Sequence, residues 1–152
     1  MLDWLDIILR LGAALLIGCV MGLNRELHHK EAGMRTLGVV ALGSALAVLA
    51  VAQDPHADVS HVIQGVITGI GFLGAGVILH RPQGGKVHGL TTAASIWITA
   101  TLGVLCGLAA WRILVVAAVP ILFLLSAGGP IERWCHRRLG SDEPPDPMAP
   151  EG

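Results

Sequence analysis

Four residues of one short polar stretch, Asp54, His56, Asp58 and His61, combine carboxylate and imidazole groups of the kind that hold a transition metal. They stand as D-x-H-x-D-x-x-H between two apolar runs, and a solvated loop is the simpler reading. His28 and His29 are adjacent and would diverge on a helix, which makes a poor chelate. A second group is a hydroxyl series: Thr92, Ser95 and Thr99, continued by Gly103 and Cys106 at spacings of three or four. On a helix these positions span only about 80° of arc, a mildly polar stripe that would face a bundle interior, with Trp97 pointing well away. Such hydroxyls commonly bond the carbonyl one turn back or a neighbouring helix. The sharper reading makes the stripe one wall of a polar cleft, opposite Ser44 among Gly38, Ala41 and Ala45. Nowhere is there a nucleophile–base arrangement, a P-loop or a dinucleotide fingerprint. The chain is therefore expected to be no enzyme, with no catalytic residue, no cofactor and no resident metal.

The elements that must position these residues are membrane helices. The chain has 152 residues, of which 53% are hydrophobic and 14% charged, and its mean hydropathy is +0.68. Soluble domains carry about 25% charged residues. The apolar residues fall into runs close to the ~20 needed to cross a bilayer core. In lipid the backbone must satisfy its own hydrogen bonds, so such runs are helical. Five are expected, at Leu5–Leu23, Met34–Ala52, Val62–His80, Leu90–Ala109 and Ile113–Gly129. The fold class is an all-α membrane protein, with a transmembrane domain over 1–131 and a basic, then Pro/acidic, tail over 132–152 that should be disordered. The first run opens with the acidic Met1-Leu-Asp-Trp-Leu-Asp6, unlike the basic start of a cleaved signal peptide. A net charge of −1 leaves no basic surplus for a nucleic-acid partner. Three cysteines, Cys19, Cys106 and Cys135, imply no disulfide framework.

Eight of the ten Lys and Arg residues fall on one side of the five spans: Arg25, Lys30, Arg35, Arg81, Lys86, Arg133, Arg137 and Arg138. The positive-inside rule makes that side cytoplasmic, with the N-terminus outside. Arg10 is the one charge well inside an apolar run. It stands four residues after Asp6, so one helix face carries both, and it is read as a snorkelling ion pair, the other reading being a place on a pathway. Away from their ends the spans otherwise lack Asp, Glu, Lys, Arg and His, which argues against a self-sufficient Mg²⁺ carrier, whose path would need oxygen ligands.

The third run holds Gly65, Gly69, Gly71, Gly74 and Gly76. Small residues let membrane helices approach closely, so this helix is expected at the centre of the bundle with neighbours on two faces. The other reading is a break in the helix exposing carbonyls to a ligand.

Four segments in register carry a family resemblance: Gly22-Leu-Asn-Arg-Glu26, Ala32-Gly-Met-Arg-Thr36, Gly69-Ile-Gly-Phe-Leu-Gly-Ala-Gly76 and Val87-His-Gly-Leu-Thr-Thr-Ala-Ala-Ser-Ile-Trp97. In order and spacing they resemble the signature of the MgtC/SapB family over roughly Leu15 to Gly107. The resemblance implies a five-span bacterial inner-membrane protein tied to magnesium limitation and, in pathogens, to survival inside host cells. It implies a regulator rather than a pump, with inhibition of the F-type ATP synthase as the proposed action of the namesake. The motif residues it carries over are Arg25, Glu26, Gly33, Arg35 and Thr36 in a cytoplasmic loop, the third-run glycines, and Thr91, Thr92 and Ser95. Asn24 stands where Glu is frequent, Leu37 where His is frequent and His61 where Arg is common. The chain also ends soon after its fifth run, like the short SapB-type branch that has no soluble domain. The expectation is a protein acting through other inner-membrane proteins, with the Arg25–Thr36 loop as a docking patch, in contact with membrane lipid and with a homo-oligomer as an open option. The alternative is a small oligomeric channel or carrier lined by the glycines and the Thr92, Ser95 and Thr99 hydroxyls.

Overall fold

The computed structural model describes residues 3–28, 30–54, 56–79 and 89–139. His29, Arg81, Lys86 and the tail beyond 139, all invoked above, lie outside the described residues. The described chain forms five helices: α1 (Trp4–Leu27), α2 (Met34–Ala52), α3 (Val59–Leu79), α4 (Leu90–Gly107) and α5 (Trp111–Leu139). Each is long and apolar enough to cross a membrane, and no strand occurs among the described residues. The expected boundaries hold for α2 and, within two residues, for α4. At its far end α5 outruns expectation by ten residues. The basic segment assigned to the tail stays helical to Leu139, because nothing between Gly129 and Leu139 except Pro130 opposes a helix and Pro130 does not end it.

The core is a three-helix packing of α1, α2 and α4, with α3 lying on α4 and α5 only lightly attached to α4 and α1. The close approaches are made by glycines of α1 and α4 on either side of α2. A Cβ on Gly18 would stand 2.6 Å from the Leu37 carbonyl oxygen, and one on Gly22 would collide with Met34 Cα. Across α2, a Cβ on Gly103 would overlap the Ala41 backbone, and one on Gly107 would lie 2.9 Å from the Ala45 oxygen. Both pairs have the four-residue glycine spacing that lets membrane helices meet backbone to backbone.

The expectation that the third helix is central is therefore corrected. Among the described residues, Gly65, Gly69, Gly71 and Gly76 have nothing within 4 Å of where a Cβ would sit, and of the α3 glycines only Gly74 meets a neighbour, Ala93 of α4 at 3.4 Å. The centre is α4, which is the most buried of the five spans. Its hydroxyl stripe cannot face lipid cheaply, whereas an apolar glycine face can.

Candidate functional site

The hydroxyl stripe does face inward. Thr92, Ser95, Thr99, Gly103 and Cys106 are all buried, and Trp97 is 42% exposed. Within the stripe, Ser95 Oγ donates to the Thr91 carbonyl and Thr99 Oγ1 to the Ser95 carbonyl, both at 2.7 Å. Opposite, Ser44 Oγ donates to Val40 O at 2.8 Å. These are bonds one turn back along each helix. Thr91 itself is exposed.

What the sequence reading kept apart, the fold joins. Arg25, near the end of α1, turns inward onto α4 and is only 3% exposed. Its Nη1 donates to Ser95 Oγ at 2.8 Å and its Nη2 to Thr92 Oγ1 at 2.7 Å. Its Nε donates to the Glu31 carbonyl at 3.0 Å, in the turn between α1 and α2. The Arg25 backbone takes part as well: its carbonyl accepts the His28 and Lys30 N–H groups at 3.1 and 3.0 Å. One residue thus ends α1, holds the α1–α2 turn and bonds the first turns of α4. Only arginine has a planar fork able to serve three acceptors in this way.

The rest of the turn is built around this anchor. Ala32 has φ 59°, a left-handed conformation costing an L-residue about 1–2 kcal/mol. Gly33 then starts α2, and Glu26 Oε2 accepts the Met34 N–H at 3.4 Å. A Cβ on Gly33 would lie 3.2 Å from that same carboxylate oxygen. Glu26, Arg35 and Thr36 are exposed and Gly33 is half-buried, so the motif splits into a buried anchor, Arg25, and a displayed rim. Gly89 opens α4 with φ 90°, close under the Val77 carbonyl of α3.

At the other end of α1, Arg10 does form its ion pair with Asp6, at 2.6 Å. It also does something the sequence reading did not expect: Nη1 donates to the Gly107 carbonyl of α4 at 2.9 Å. That carbonyl belongs to the last turn of α4, whose end is closed by two reverse bonds, Ala109 N–H to Cys106 O and Ala110 N–H to Leu105 O. This is the Schellman arrangement, with Ala109 in the left-handed position at φ 54° where glycine is usual. A cation at a helix C-terminus also meets the negative end of its dipole. Arg10 Nε is buried and has no hydrogen-bond partner among the described residues. The two arginines of α1 therefore fasten both ends of α4.

The Asp54–His61 stretch does not assemble into a metal site. Asp54 accepts the His56 N–H at 2.9 Å, and Asp58 accepts the Ser60 N–H at 2.9 Å and the Ser60 hydroxyl. Asp58 and His61 stand 3.6 Å apart, both exposed. Among the described residues no three His, Cys, Asp or Glu side chains come together as metal ligands. These bonds hold the Asp58 carboxyl below its ordinary range, the Ser60 hydroxyl first and then the Ser60 backbone N–H and nearby His61.

A profile of the MgtC family matches residues 11–134, a stretch that takes in the Arg25-bearing part of α1, the α1–α2 turn and all of α4, and begins one residue after Arg10. The chain belongs to the MgtC family. It is 42% identical over 144 residues to Protein SrpB of Synechococcus elongatus, covering 86% of this chain and 79% of that protein. It is 40% identical over 115 residues to Protein MgtC of Salmonella typhimurium, covering 76% of this chain and 49% of that protein. An uncharacterized Haemophilus influenzae protein is 37% identical over 146 residues, with 61% of its length covered. The chain thus spans about half the length of the MgtC relative and most of SrpB. No solved structure matches it. This MgtC-family chain is a multi-pass membrane protein by the apolar length of its five helices.

Proposed function

We propose that this MgtC-family protein is a regulator in Mg²⁺ limitation, acting from the bacterial inner membrane by contact with another membrane protein. The side bearing Arg25, Lys30 and Arg35 is cytoplasmic in this reading, on the lysine and arginine bias of the loops. The observation that carries it is the split of the α1–α2 motif into an anchor and a rim. Arg25 is sealed against α4, where no partner reaches it, while Glu26, Arg35 and Thr36 are displayed on a turn held in one conformation. A turn fixed from below loses little freedom on docking, which favours recognition by the residues it presents. The F-type ATP synthase, the proposed target of the family's namesake, is the first partner to examine.

The hydroxyls that a carrier would use along its path are spent inside the protein. Ser95 and Thr92 accept from Arg25, and Ser95 and Thr99 donate to α4 carbonyls. Complementation of a deletion strain under Mg²⁺ limitation tests the proposal. Arg35→Ala should abolish rescue while its level in the membrane stays normal. Full rescue by Arg35→Ala, or Mg²⁺ flux into vesicles containing this protein alone, would overturn it.

A further inference from the structure

The ten residues by which α5 outruns its membrane span have a chemistry of their own. The apolar stretch that can cross a bilayer ends at Gly129, and the helix continues to Leu139. At 1.5 Å per residue, Trp134 stands about 7 Å beyond that point, at headgroup depth, and Arg138 one turn further. The segment Ile131–Leu139 holds Arg133, Arg137 and Arg138 against a single acid, Glu132.

Trp134 is 59% exposed, and the Arg138 guanidinium stacks over its ring at 5.3 Å from the centroid. Side chains of a helix lean toward its N-terminus, and for α5 that direction is the bilayer. Stacking on Trp134 therefore draws Arg138 back to the depth where lipid phosphates lie. Tryptophan is itself a residue of that interface, and guanidinium matches a phosphate with two parallel donors. Arg133 and Arg137 stand one turn apart on the same helix, which places three arginines in the two turns just beyond the span.

We propose that the α5 extension binds anionic phospholipid headgroups, with Trp134 setting its depth and Arg138, Arg133 and Arg137 supplying the positive charge. The inference stands on α5 alone and is independent of the regulatory proposal. Which leaflet is contacted follows from the orientation of the chain.

The test uses the full chain in mild detergent, incubated with equal amounts of phosphatidylglycerol and phosphatidylcholine, and native mass spectrometry to count retained lipids. Wild-type protein should retain phosphatidylglycerol preferentially, by about five-fold for each arginine engaged. The preference should collapse in Arg133→Ala/Arg137→Ala/Arg138→Ala and survive in the corresponding triple lysine variant. It should also shrink at high salt, as screening shortens the reach of the charges. Arg138→Glu, a single change at an exposed position, keeps the test decisive should the triple variant fail to fold. Equal retention of both lipids by the wild type would overturn the proposal. So would an undiminished preference in Arg138→Glu together with the triple alanine variant, which would place anionic lipid elsewhere on the protein.

Discussion

Arg25 and Ser95, seventy residues apart in the chain, meet at 2.8 Å in the protein interior. The contact joins the end of α1 to the first turns of α4, and through Arg25 Nε it fixes the α1–α2 turn as well. A buried charge is tolerable only while its donors are occupied, and here a carbonyl and two hydroxyls occupy them.

Removing either partner should be costly. Ser95→Ala leaves one arm of a buried guanidinium without its acceptor, a loss of about 1–3 kcal/mol. Arg25→Lys should lose as much or more, since an ammonium has no fork to span Thr92, Ser95 and Glu31 together. Denaturant titration in detergent gives the numbers. If Arg25→Lys proves as stable as the wild type, the three-acceptor arrangement is not what holds the turn.

Glycines offer a sharper contrast, because identical substitutions should act in opposite directions. Gly103→Ala drives a Cβ into the Ala41 backbone and should cost about 1–3 kcal/mol, as overpacking does. Gly69→Ala enters open space and should be neutral or stabilise α3 by up to about 1 kcal/mol through helix propensity. Thermal midpoints of the two variants decide it. Equal destabilisation would mean that the α3 face is packed after all.

Sequence made the five helices legible, because runs of this length and apolarity have one solution in a bilayer. It also showed the inward side of α4, since Thr92, Ser95 and Thr99 recur at helical spacing and lipid disfavours hydroxyls. The arrangement of the helices was not legible in the same way. Glycine density drew attention to α3, but density does not say which glycines touch a neighbour. The spacing of Gly18 with Gly22 and of Gly103 with Gly107 was the available signal, and it marks the two surfaces that close on α2. Nor could spacing reveal that Arg25 leaves the loop and enters the bundle. A charge next to Glu26 at the end of an apolar run reads as surface, and only the placement of α4 beside α1 turns it inward.

The stretch between α2 and α3 allows a prediction in pH. Asp58 immediately precedes α3 and accepts the Ser60 N–H, the N-cap bond that satisfies a free donor of the first turn. Its carboxyl is held below the ordinary value of 3.8, so the folded form favours the charged state. The stabilisation is therefore complete above the unfolded value and is lost as pH falls through the lower, folded one. Near neutral pH nothing should change. On acidification, the Asp58 carboxyl resonance and the Ser60 amide resonance should titrate together, with a shared midpoint below 3.8. In Asp58→Asn the cap should persist, because asparagine accepts the same bond, and the Ser60 amide should lose its titration. A Ser60 amide that still titrates in Asp58→Asn would assign the effect to a group other than Asp58.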